Sequence, residues 1–237
     1  MISLKPAAVI PILFASALLA APPAPPQLTG FPFTDETLNY SVNWPSGLSL
    51  GEGHLIAKRR NGGWSFQLSL DAGIPGYPVK DSYLSQSSND FCSAEFERTA
   101  EHGSRKTDED ETVDTQRSTV KRLTLKGGGE STFAVPSCVR DALTFLYFTR
   151  RELGQGRVPP AHQILFGNLY QTRLDYAGAQ VVPVSGKGVE TDKIVATMKG
   201  PSSELKFEMY FARDAARTPL LFRAQLAMGP FSMELVR

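Results

Sequence analysis

Histidine is the side chain whose charge changes nearest neutral pH, and this 237-residue chain has three, His54, His102 and His162. They lie far apart in sequence, and none stands in an H-E-x-x-H pair or another ligand-spaced pair, so no metal or other cofactor site is expected. A Ser-His-Asp triad assembles only in space. No G-x-S-x-G elbow is read in the chain, and a meander supplies no strand-to-helix turn of that kind. A hydrolase therefore stays an alternative, and His162, just after a predicted helix, is its first histidine to test.

Two charged stretches have other possible chemistry. Lys106-Thr107-Asp108-Glu109-Asp110-Glu111-Thr112-Val113-Asp114 is dense in carboxylates, but an EF-type calcium loop needs glycine where Val113 stands. Neighbouring carboxylates on a strand also point to opposite faces, so the run is expected to form a solvated hairpin tip or a charged edge that blocks strand addition. In Tyr77-Pro78-Val79-Lys80-Asp81-Ser82-Tyr83, the prolines around it stiffen the backbone, and Lys80 and Asp81 would face opposite ways. That segment reads as a structural turn with buried tyrosines, or as a rim that positions a polar head group. Lys126-Gly127-Gly128-Gly129-Glu130 is a loop without the lysine-serine pair of a phosphate cradle.

The elements that must position these residues are mainly strands. Leu38, Tyr40, Val42 and Trp44 alternate with polar residues, as do Trp64, Phe66, Leu68 and Leu70 after the turn Asn61-Gly62-Gly63. Similar runs occur near 91–100, 112–125, 169–176, 193–198, 205–212, 220–228 and 231–236. The predicted fold is mainly β, a curved antiparallel sheet or barrel-like meander with one short central α-helix at about 138–153. Asp141 suits the start of that helix, Arg150 and Arg151 suit its end, and Gly154 is expected to stop it. Leu143, Leu146, Tyr147 and Arg150 share a stripe, with Ala142, Phe145 and Thr149 beside it. Such a helix is expected to be covered on more than one side, either in the sheet's concavity or plugging a barrel end. Arg150 then caps carbonyls and pairs with an acid such as Asp81, or it meets a bound anion.

The chain ends frame this domain. Residues 1–20 read as a signal peptide, with Lys5, an apolar run from Ala7 to Ala21 too short to span a bilayer comfortably, and cleavage expected between Ala20 and Ala21. Residues 21–35 read as a proline-rich linker and 36–237 as a single β-rich domain. No stable membrane span is expected after cleavage, and the destination is the periplasm or cell envelope. In an oxidising compartment Cys92 and Cys138, the whole cysteine complement, are expected to form a disulfide. Lys+Arg 25 against Asp+Glu 24 lacks the basic excess of a nucleic-acid binder.

Four motifs in order carry a resemblance. They are Glu36-x-Leu38-x-Tyr40-x-Val42-x-Trp44, Tyr77-Pro78-Val79-Lys80-Asp81, Asp141-x-Leu143-Thr144-x-Leu146-Tyr147-x-x-Arg150, and Asp214-x-x-Arg217-x-Pro219 with Gly229 in a final hairpin. From about residue 36 onward the chain resembles the bacterial exported domain-of-unknown-function family 3108. The resemblance implies a β-rich envelope protein and carries over no reaction or ligand. With no catalytic constellation visible, the leading expectation is a non-enzymatic protein binding an apolar or amphiphilic, lipid-like molecule in the sheet's concavity. Candidate ligand contacts are Tyr77, Lys80, Asp81, Tyr147, Arg150 and Arg151. The alternative partner is another envelope protein, held through sheet edges or the acidic run.

Overall fold

A computed structural model of the chain describes residues 33–44, 46–74, 76–226 and 229–236. The expected signal peptide, its cleavage point and most of the linker lie outside the described residues. Eight strands follow one another as an antiparallel meander: β1 (Glu36–Asn43), β2 (Ser49–Arg60), β3 (Gly63–Ile74), β4 (Tyr77–Ser88), β5 (Ser93–His102), β6 (Arg105–Asp114), β7 (Thr119–Thr124) and β8 (Glu130–Ala134). The short β9 (Arg140–Asp141) leads into α1 (Ala142–Gly154). A second series follows with β10 (His162–Leu165), β11 (Leu169–Val184), β12 (Lys187–Lys199), β13 (Glu204–Ala212), β14 (Pro219–Leu226) and β15 (Gly229–Val236). Because β1 pairs with both β2 and β15, the two series fuse into one fifteen-stranded sheet, with β8 and β9 at its free ends.

The expected mainly β, curved fold with a single helix is what the described residues adopt. The ends of the sheet approach each other without completing a ladder. Ser93 donates its backbone N–H to Val139 O at 2.9 Å, and the Cys92–Cys138 disulfide joins the β4–β5 turn to the segment before β9, with Cα atoms 4.8 Å apart. Across the same seam Arg122 donates to Gly167 O, and Val120, Val135, Val139 and Leu165 form a small buried cluster. A backbone hydrogen bond, the disulfide and side-chain contacts join the two ends of the sheet where no ladder does, which gives it a barrel-like form.

The parallel pairing of β9 with β10 requires a crossover, and α1 supplies it. Asp141 is its N-cap, in extended conformation, and its carboxylate accepts from the N–H groups of Leu143 (2.9 Å) and Thr144 (3.0 Å). The same buried carboxylate accepts from Ser85 (2.6 Å), Ser93 (2.5 Å) and Thr144 (2.7 Å) hydroxyls. These bonds anchor the helix start on β4 and β5 and offset the cost of burying the charge. At the other end Arg150, 0% exposed, pairs with Glu36 and donates through Nε to Ala216 O (3.1 Å) and Arg217 O (3.2 Å). Helix α1 thus lies across one end of the barrel, tied to β1 and to the β13–β14 turn.

Several expectations need correction. The helix begins at Ala142, not 138, because Asp141 satisfies the first free N–H groups and the preceding residues are held as β9. Gly154 lies inside the helix, which ends through Gln155 and the positive-φ Gly156. The acidic run is neither tip nor edge: it is β6, paired on both sides. There the pleat sends Glu109 and Glu111 inward toward arginines, while outward Asp108 meets Lys126 at 2.8 Å. The stretch expected as one run at 112–125 is broken by a turn at 115–118. The Asn61-Gly62 turn is as read: Arg60 pairs with Gly63, and Gly62 sits at φ 83°, which glycine adopts without strain.

Candidate functional site

Strand alternation lines the concave side of the sheet with apolar side chains. Val42, Leu55, Leu68, Phe222, Phe231 and Met233, from β1, β2, β3, β14 and β15, surround a cavity of about 480 Å³. Leu146 reaches it from α1 and forms its floor. Behind this floor the barrel end is filled by aromatic packing. Tyr147 stacks on Phe66 with ring centroids 4.1 Å apart, and Phe33, Trp64 and Phe91 lie around them.

The opposite end carries the mouth, near the β1–β2, β3–β4 and β5–β6 turns. Tyr77, at the start of β4 and 38% exposed, lines it. So does His102, the last residue of β5, whose side chain is 44% exposed. His102 Nε2 lies 2.8 Å from Asp81 Oδ1, and the Asp81 side chain is only 10% exposed. Val79 pairs with His102 and Asp81 with Ala100, so both polar residues face inward one step apart. Deeper along the same face, burial, with Asp81 beside it, raises the Tyr83 phenol above its ordinary range. Arg223 and Ser232 also border the cavity, but they alternate with inward Phe222, Ala224, Phe231 and Met233. Their side chains therefore turn to the other face, where Arg223 lies 5.4 Å from the Tyr210 ring.

The six candidate contacts are distributed unevenly around this cavity. Tyr77 lines the mouth, and Asp81, further along the same strand, hydrogen-bonds to His102 there. Lys80 is on the outer face, exposed and 3.4 Å from Asp71. Tyr147 and Arg150 meet in the packed end, with the guanidinium 4.8 Å from the ring centroid, and the acid that pairs with Arg150 is Glu36 rather than Asp81. Arg151 lies over Phe91 and Phe148 at 5.1 and 4.9 Å and beside Glu152 at 3.4 Å. Sequence reasoning did not select His102 or Leu146 as site residues. The signal for His102 was the shared period-two face of 79, 81 and 83 with 98, 100 and 102, which becomes readable only once the β4–β5 register is known.

Among the described residues His102 and Asp81 form a histidine–carboxylate pair, but no serine, threonine or cysteine side chain hydrogen-bonds to any of the three histidines. His162 accepts from or donates to no carboxylate; its Nδ1 lies 2.6 Å from Pro160 O, and its ring packs on Phe145 and Phe148. His54 meets Asn39. The sequence reading overlooks one G-x-S-x-G match, Gly47-Leu48-Ser49-Leu50-Gly51, but it spans the β1–β2 hairpin turn, so exposed Ser49 does not sit between a strand and a helix. The Asp141, Ser85, Ser93 and Thr144 group has no histidine in it and serves as the buried helix anchor.

A family model described as Protein of unknown function (DUF3108) matches residues 39–236. No curated protein matches the chain. Among solved structures, the chain is similar to a beta-barrel-like protein of domain of unknown function DUF1849 from Brucella abortus, with TM-score 0.63 and 8% sequence identity. The match covers 88% of this chain and 98% of that one, and it is a likeness of fold.

Proposed function

The chain belongs to the family of proteins of unknown function DUF3108, and we propose that this member is a non-enzymatic binding protein that holds an apolar or amphiphilic, lipid-like molecule inside its barrel. The observation that carries this reading is the cavity of about 480 Å³, floored by Leu146 and walled by apolar side chains from both halves of the sheet. Its volume falls in the range of about 300–1,000 Å³ common for small-molecule sites. Transfer of an apolar chain from water into such a space is favourable by about 0.8 kcal/mol per methylene.

The place of action in this reading is the periplasm or cell envelope, reached by export. The N-terminal apolar run supports that destination, as does the Cys92–Cys138 disulfide, a bond that persists in oxidising compartments. The test is native mass spectrometry of the chain purified from cell envelopes without detergent, followed by titration of the delipidated protein with a fluorescent long-chain fluorophore. The expected result is one apolar molecule per chain and saturable probe uptake. A protein that carries nothing extractable and takes up no probe overturns the reading.

A further inference from the structure

The mouth of the cavity carries a positive charge that points to the ligand's head group, an inference that rests on the binding reading above. Basic residues near the mouth on β4 and β6 sort by face. Lys80 lies 3.4 Å from Asp71 and Lys106 lies 3.3 Å from Glu101, both on the outer face. Arg105 stands directly across the β5–β6 ladder from His102, and residues opposite each other in a ladder share a face, so it belongs to the inner side. It is exposed, and among the described residues no carboxylate pairs with it.

The β5–β6 turn brings this arginine to the rim. Gly103 donates its N–H to Pro78 O at 2.8 Å, which ties the turn to the start of β4. The Tyr77 ring lies over Gly103, where a Cβ would stand 2.6 Å from the ring, so Tyr77, His102 and Arg105 border one opening. Asp81, one inward position deeper, is held by His102 at 2.8 Å, and Arg98, deeper again, pairs with Glu109 at 3.5 Å. A guanidinium stays charged whether or not the histidine carries a second proton, and its fork matches the two oxygens of a carboxylate. We infer that the ligand is a single-chain carboxylate of the fatty-acid class, with its head on Arg105 beside Tyr77 and its tail running down to Leu146.

Dodecanoic acid, methyl dodecanoate and dodecyltrimethylammonium share a chain length and carry a negative, a neutral and a positive head. Their binding to the delipidated full chain is measured by calorimetry at low salt and about pH 8, where the acid is ionised. The acid is expected to bind about fivefold more tightly than the ester and more tightly than the cation, and its advantage should shrink as salt is raised. In Arg105→Gln the acid's affinity is expected to fall about fivefold with the ester's unchanged, while Arg105→Lys retains part of the acid's advantage. Arg105 is exposed, so both variants should melt with the native chain. Equal binding of acid and ester to the native chain, preference for the cation, or an acid affinity that Arg105→Gln leaves untouched overturns the head-group inference and leaves the cavity reading standing. An equal fall for acid and ester in Arg105→Gln does the same, because it marks an altered cavity and not a lost charge. Failure of all three ligands to bind overturns both.

Discussion

Glu111 is 2% exposed, and neither of its carboxyl oxygens has a hydrogen-bond partner. Burial first, and then Glu109, raise its carboxyl from 4.5 to about 7, with Arg122 and Arg98 opposing and Asp141 adding to the rise. The folded chain therefore holds this proton more tightly than the unfolded one. The resulting stability is complete below about pH 4.5 and is lost as pH rises through about 7. Glu111→Gln removes that dependence, so relative to the native chain it should gain up to about 3 kcal/mol between those limits. Urea titrations at a series of pH values read this directly, and a difference that does not vary with pH rules it out. Arg150 makes the opposite case, a buried charge with its partners in place. Replacing it with Met strands Glu36 and two carbonyls, with an expected cost of about 3 kcal/mol in denaturant unfolding. The sequence identified Arg150 as a helix-end cation suited to carbonyls. It could not single out Glu111 among neighbouring carboxylates, because only the pleat and the β7 partner fix which of them turn inward.

At the level of elements, α1 depends on Asp141 for more than a cap. Asp141→Ala removes the acceptor for two N–H groups and three hydroxyls that are buried beneath the helix. The expected loss is about 3 kcal/mol, above the ~1 kcal/mol typical of a surface N-cap, because the hydroxyls stay buried without their acceptor. Asp141→Asn keeps an acceptor oxygen and should recover part of this loss, as a thermal melt would show; equal loss in both variants would mean that the hydrogen bonds are not the cause. The helix itself was legible from its apolar stripe, Asp141 and the terminal arginines. Its first residue was not, since β9 takes up Arg140 and Asp141 by pairing with β10, a partner more than twenty positions downstream. The acidic strand was misread for a related reason. Charge density suggests solvent, but β6 lies between β5 and β7, and its ladder partners supply Arg98 and Arg122 on the inner face.

For the whole molecule, the cavity is the property that most needs testing by redesign. Leu146→Trp extends a side chain from the floor into existing space, so it should abolish probe uptake while leaving the melting temperature close to that of the native chain. Overpacking of a filled core would instead cost about 1–3 kcal/mol, so a large loss of stability would show that the space above Leu146 is already closed. By itself, the sequence determined the strand-rich class, the hairpin at Asn61-Gly62, one apolar helix and the pair of cysteines able to bridge. Each of these follows from local periodicity, turn chemistry or residue type. Only the tertiary structure decided that β1 joins β2 to β15, that the sheet's ends close without a ladder, that Arg150 meets Glu36 and that His102 stands over Asp81 at the mouth. Those outcomes depend on the register between strands and on how far the sheet curls, and no residue carries that information without its distant partner.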